Sequence, residues 1–171
     1  EYHELPGIME ALRSKIPLVS FPGNHDIGIE RFAREEEICP RDGMLIKGIG
    51  FLHGHMSPAP ELYGNLIVIG HHHPLLALRD EVGGALQEPA YIRAGLMTGT
   101  RDLPVPDEVA AQTRLLFMPA FNELAGYDIS RIVKDPFSPL SRCMDAGSAE
   151  IILADGTYIG PFSALVQDED D

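Results

Sequence analysis

The sequence predicts a single α/β domain, and three observations predict it. Short apolar runs of strand length alternate with a helical pattern and with turn dipeptides along nearly the whole chain. Apolar residues make up 44% of the 171, enough for one buried core. No apolar run reaches the length that would span a bilayer. The expected domain covers residues 1–166. Residues 167–171, which end in Asp168-Glu169-Asp170-Asp171, read as a solvated, disordered acidic tail. No internal repeat or linker divides the chain.

Each element has its own local reason. Residues 6–14 read as a helix: Ile8, Met9 and Leu12 share a face, and Pro6 is tolerated at a helix start. Pro17 stops that helix, and residues 18–21 follow as a short strand. A helix feeding a short apolar strand suggests a βαβ unit whose first strand would precede residue 1. The charged stretch 29–38 reads as helical. Residues 44–46 and 49–52 flank Lys47-Gly48, a two-residue hairpin signal. The apolar run 66–69 reads as a buried strand, and 91–96 and 115–118 as further strands. Residues 98–107, rich in Gly, Pro and Thr, form a loop. Residues 150–153 and 157–160 flank Asp155-Gly156, the strongest hairpin signal in the chain.

The formal net charge is −13, so the basic footprint of a passive nucleic-acid binder is absent. An enzyme acting on phosphate esters remains open, because bound cations invert the local potential. Cys39 and Cys143 match no metal spacing and are expected as two reduced thiols. The opening Glu-Tyr-His-Glu has neither a basic start nor an apolar segment, so a cytoplasmic protein is the expectation.

Six of the seven histidines fall in three clusters: Gly23-Asn24-His25-Asp26, His53-Gly54-His55 and Gly70-His71-His72-His73. Each follows an apolar run, and strand ends opening into loops are where α/β folds place functional side chains. Neutral imidazole ligates borderline metals, and an asparagine amide oxygen suits a hard cation. His71 and His73, two apart on an extended segment, point to one side, while His72 points to the other. His55 reads as a surface histidine or as support for a ligand, and His3 as a solvated residue near a helix start. Asn122, in a Pro-Ala-Phe-Asn loop, reads equally as a turn residue or a substrate contact. Arg93 and Arg114 read as surface ion-pair partners, with phosphate contact as the alternative. Met118 and Phe121 read as core.

In this order, Gly23-Asn24-His25-Asp26, a separate His-Gly and a Gly-His-x-His resemble the motif series of calcineurin-like metallophosphoesterases. His53-Gly54-His55, Gly70-His71-His72-His73-Pro74, Met118 to Asn122 and the Asp155-Gly156 hairpin look like the DNA-ligase-associated phosphoesterases and their archaeal relatives. The resemblance runs over residues 1–165 and implies a four-layer αββα sandwich of two mixed sheets. It implies a hydrolase of phosphodiester bonds, in nucleic acids or nucleotides, that uses a hydroxide activated by two divalent ions. Manganese comes first, with iron, zinc or nickel as alternatives. Asn24, His53 and His71 would ligate the second ion and His73 the first. His25 would serve the leaving oxygen, and Asp26 would orient His25. Asn122 and His55 would face the substrate. A homodimer is one arrangement open to such a domain, and no membrane is involved. The family's Asp-x-His and Gly-Asp motifs, which supply the other ligands, do not occur before Gly23. The resemblance therefore implies a domain without its first strands, inactive by itself. The alternative is a non-catalytic binding or scaffold module that keeps the shell of such an enzyme; a single-metal hydrolase is a third reading.

Overall fold

Lys47 and Gly48 both take positive φ, 50° and 82°, the backbone of a tight two-residue hairpin turn. The turn joins β1 (Met44–Ile46) to β2 (Ile49–Leu52), as its residue chemistry predicts. The structure, a computed structural model, describes residues 4–79, 85–99, 105–122 and 125–167. The other strands are β3 (Leu66–Ile69), β4 (Pro74–Arg79), β5 (Ala85–Leu96), β6 (Arg114–Phe117), β7 (Tyr127–Asp128), β8 (Met144–Leu153) and β9 (Tyr158–Pro161). The helices are α1 (Leu5–Arg13), α2 (Asp107–Gln112), α3 (Ile129–Lys134), α4 (Pro139–Arg142) and α5 (Phe162–Gln167). Among the described residues no helix is long and apolar enough to cross a membrane.

The nine described strands join in one mixed sheet, ordered β1-β2-β3-β6-β5-β4-β7, with β8 on β5 and β9 on β8. Where two mixed sheets are expected, the described strands form one continuous ladder through β5. This strand of 12 residues pairs with β4 through residues 85–89 and with β6 and β8 beyond them, so the ladder is continuous. β2, β3 and β6 run parallel, and their inward positions alternate. Ile67 and Ile69 of β3, Leu115 and Phe117 of β6, Ile92 of β5 and Ile151 of β8 are fully buried in one core. Leu66 and Val68 lie on the other face and are only half-buried, so the apolar run is not dry on both sides.

Two sequence expectations fail near the start of the chain. Residues 18–21 form no strand; Ser20 makes a single parallel bridge to Ile38. Residues 29–38 form no α-helix but two 3₁₀ turns, Ile29–Arg31 and Glu35–Glu37. The apolar spacing of Ile29, Phe32 and Ala33 breaks off at Glu35-Glu36-Glu37, so no face continues into a longer helix, and Gly28 enters the segment in the left-handed region, at φ 90°. Phe121, expected in the core, is fully exposed. α2 begins at Asp107, inside the expected loop, of which residues 100–104 lie outside the described residues, as do His3 and the acidic 168–171. Cys39 and Cys143 are both buried and form no disulfide.

Candidate metal centre

Parallel pairing of β2 with β3, Leu52 opposite Ile69, makes both chains leave the sheet at one edge. His53 follows the first strand and Gly70 to His73 the second. The Gly70 N–H donates to the His53 carbonyl at 3.0 Å, which ties the two exits together. This carboxyl edge is where open α/β sheets bind ligands.

The third segment is the turn at 23–26. The Asp26 carboxylate accepts from the Gly23 N–H at 2.7 Å and closes the turn, leaving Asn24 and His25 exposed at its tip. Among the described residues Asp26 bonds that backbone group rather than His25. A Cβ on Gly23 would lie 2.7 to 2.9 Å from three atoms of the His53 ring, so only glycine lets the turn approach so closely. Gly54, at φ 109°, has no room either: a Cβ would come within 2.3 Å of Ile69.

A cavity of about 440 Å³ collects Asn24, His25, His53, His71 and His73, walled by Ala125, Gly126, Tyr127 and Phe137. His53 Nε2 lies 3.1 Å from Asn24 Oδ1 and 3.0 Å from His71 Nδ1. One ring nitrogen thus serves two neighbours with a single proton or lone pair. Burial lowers the pKa of His53, His71 and His73, and takes His71 down to about 4, helped by neighbouring imidazoles. All three are therefore neutral near pH 7, the form that ligates a metal.

The spacing fits a cation. Donors held at about 2.1 Å and at right angles around one ion lie about 3.0 Å from each other. His53 Nε2 is already at that separation from Asn24 Oδ1 on one side and from His71 Nδ1 on the other. A second ion would find only His73 at this cavity. Among the described residues no group of three His, Cys, Asp or Glu side chains is arranged to hold a metal.

No family model matches the chain. No curated protein matches it either. The crystal structure of Pseudomonas putida nuclease MPE is similar at 15% identity with a TM-score of 0.47, covering 94% of this chain and 60% of that one. A likeness of that size carries no functional weight.

The remaining candidates lie apart from the cavity wall. The His55 ring packs 5.2 Å from that of His53, its Nδ1 buried without a partner among the described residues, and burial together with Arg41 lowers its pKa. Asn122 is exposed in a turn whose carbonyl accepts from Ala125 N–H at 3.1 Å. Arg93 pairs with Glu150, donating from Nε at 2.7 Å, and shares with Arg114 a separate cleft at the starts of β3 and β6. Sequence reasoning missed Tyr127 and Phe137. The Phe137 ring stands 5.6 Å from that of His71 and 5.2 Å from that of Tyr127. Tyr127 is held by its N–H donating to the His73 carbonyl at 3.0 Å. Isolated loop aromatics have no spacing that would have marked them.

Proposed function

We propose that the chain is a metal-dependent phosphoesterase, a hydrolase of phosphodiester bonds. One observation supports the reading: His53 Nε2 stands 3.1 Å from Asn24 Oδ1 and 3.0 Å from His71 Nδ1, donors from two other segments, in a cavity that also holds His25 and His73. Asn24, His53 and His71 would hold one divalent ion, and His73 would contribute to a second. Such ions, when bound, supply charge neutralisation at phosphate oxygens and acidify water. His25, exposed at the tip of its turn, lines the cavity and would give a proton to the leaving oxygen. Phe137 and Tyr127 form an apolar wall beside His71 and His73 that keeps water from one side of a bound ester. Nucleotide or nucleic-acid diesters and the four-layer αββα arrangement belong to the same reading.

The test is hydrolysis of an aryl phosphodiester, with and without Mn²⁺, by the domain completed with the Asp-x-His and Gly-Asp motifs that the resemblance implies. We expect turnover only with metal. His25→Ala should keep Mn²⁺ binding and lose about 100-fold or more in kcat, the size of general-acid catalysis. His71→Ala should lose the metal itself. Metal-independent turnover, or none in the presence of bound Mn²⁺, would remove the assignment.

A second reading, a binding module that keeps the shell of such an enzyme, is favoured by the lack of any three-residue His, Cys, Asp or Glu group among the described residues. Saturable Mn²⁺ binding separates the two, since the module needs none.

A further inference from the structure

We propose that His72 and Ser138 form a buried anchor that positions His71 and His73, so that Ser138, which does not line the cavity, sets the metal affinity of the site. The inference rests on the metal reading above.

Around His72 the side chains alternate. His71 and His73 line the cavity, while His72 is wholly buried between them. Its ring meets Phe117 edge-on at 4.7 Å and 90°, and lies 4.9 Å from Phe137. A buried imidazole is costly unless it is hydrogen-bonded. Among the described residues His72 has one such bond, Nε2 to Ser138 Oγ at 2.8 Å, and its Nδ1 has no partner. The donor order is consistent along the network. The Ser138 hydroxyl donates to Ser141 Oγ at 3.1 Å, and the Ser141 hydroxyl donates to the Ser138 carbonyl at 3.2 Å. With the Ser138 hydroxyl so engaged, its Oγ accepts from His72, an arrangement that requires the His72 proton on Nε2. Nδ1 then buries a bare lone pair rather than an unpaired N–H.

Ser138 is itself fixed. It caps the start of α4, accepting from Ser141 N–H at 3.1 Å, while its own N–H donates to Ser141 Oγ at 3.0 Å. The segment it anchors needs holding, because His73 sits at φ 47°, an unfavourable region for a residue with a Cβ. Without the Ser138 hydroxyl, a buried Nε2–H has no acceptor and the His72 ring must move. His71 and His73 move with it.

The test compares Mn²⁺ affinity, by calorimetry, in the parent chain, Ser138→Ala, Ser138→Thr and Ser141→Ala. Support for a ligand by a second residue is worth about 10- to 100-fold in metal affinity, and we expect a weakening in that range for Ser138→Ala. Ser138→Thr keeps the hydroxyl and should restore binding. Ser141→Ala removes the acceptor of the Ser138 N–H and frees the Ser138 hydroxyl, so it should lower thermal stability and weaken Mn²⁺ binding less than Ser138→Ala does. A parent that binds Mn²⁺ and a folded Ser138→Ala that binds it equally well would overturn the anchor and leave the metal reading standing. A parent that binds no Mn²⁺ would end the metal reading, and the anchor with it. Long-range ¹H–¹⁵N spectra of the metal-free parent add a check that needs no variant to fold. They should show His72 protonated at Nε2, and an Nδ1–H tautomer would overturn the anchor.

Discussion

Gly23 shows how a single atom can govern the site. Its backbone needs no positive φ; what it needs is the absence of a Cβ, because the His53 ring lies 2.7 to 2.9 Å from where one would be. The ring is the end of a side chain and can swing away, so Gly23→Ala should fold. The swing takes His53 Nε2 off its 3.1 Å approach to Asn24 Oδ1. We expect Mn²⁺ affinity to fall by about 10-fold or more, the scale seen when a ligand is misplaced, with a small change in melting temperature. Titration and a melt of the same sample check this, and unchanged affinity would show that the turn relaxes instead of the ring. At this scale the sequence was informative where residues share a local signature. Asn24, His25, His53, His71 and His73 were singled out because each follows or sits within a Gly-and-His cluster at the end of an apolar run, and all five line the cavity. Phe121 was placed in the core on apolarity alone, yet it is fully exposed, because side-chain type does not say which way a loop residue faces.

Single elements were legible when their cause was local. The hairpin at Lys47-Gly48 follows from two residues tolerant of positive φ, and α1 follows from its period and its proline. What holds α1 in place was not legible. The helix buries none of its residues, and Ile8 and Leu12 are 52% and 42% exposed. Its attachment is the Arg13 guanidinium, whose Nε and Nη2 donate to the two Glu37 oxygens at 2.6 Å each, while Nη2 also donates to the Phe32 carbonyl at 2.8 Å. Arg13 holds the Glu37 carboxyl down at about 2, aided by the Arg34 N–H, so the fork stays charged through the neutral and mildly acid range. Twenty-four positions separate the two residues, and no sequence period connects them. Glu37→Gln keeps the size and removes the charge. We expect hydrogen exchange of amides 5–13 to accelerate while the β3 and β6 amides keep their protection. Equal protection in the variant would mean that packing, not the fork, docks the helix.

For the molecule as a whole, strand existence was legible and strand partnership was not. β3 and β6 pair in parallel although β4, β5 and α2 lie between them in the chain, and hydrophobic period carries no information on such partners. The same long-range folding buries His72 between β6 and the start of α4, and so creates a pH dependence. Burial, then His71, pushes the His72 pKa down to about 3 from an ordinary 6.5, and burial pushes His71 to about 4. The unfolded chain takes up protons below about 6.5 that the folded chain refuses, so stability is full above that pH and falls as pH drops toward 4. Each refused proton costs up to about 1.4 kcal/mol per pH unit in that window, and less for the half-exposed His71, which water screens. Two opposing effects set where to look. Acid also relieves the repulsion of a chain with net charge −13. Below about pH 5 the unfolded carboxylates begin to titrate, and lowered ones such as Glu37 and Glu150 add their own loss of stability. The interval from pH 6.5 to 5 therefore belongs to the histidines. Urea midpoints of the metal-free chain should be flat from pH 8 to 7 and fall from 6.5 to 5, and His72→Leu should shallow that fall by up to one proton. A parent whose midpoint holds or rises across the interval would mean that the buried imidazole finds water or a counter-charge on protonation.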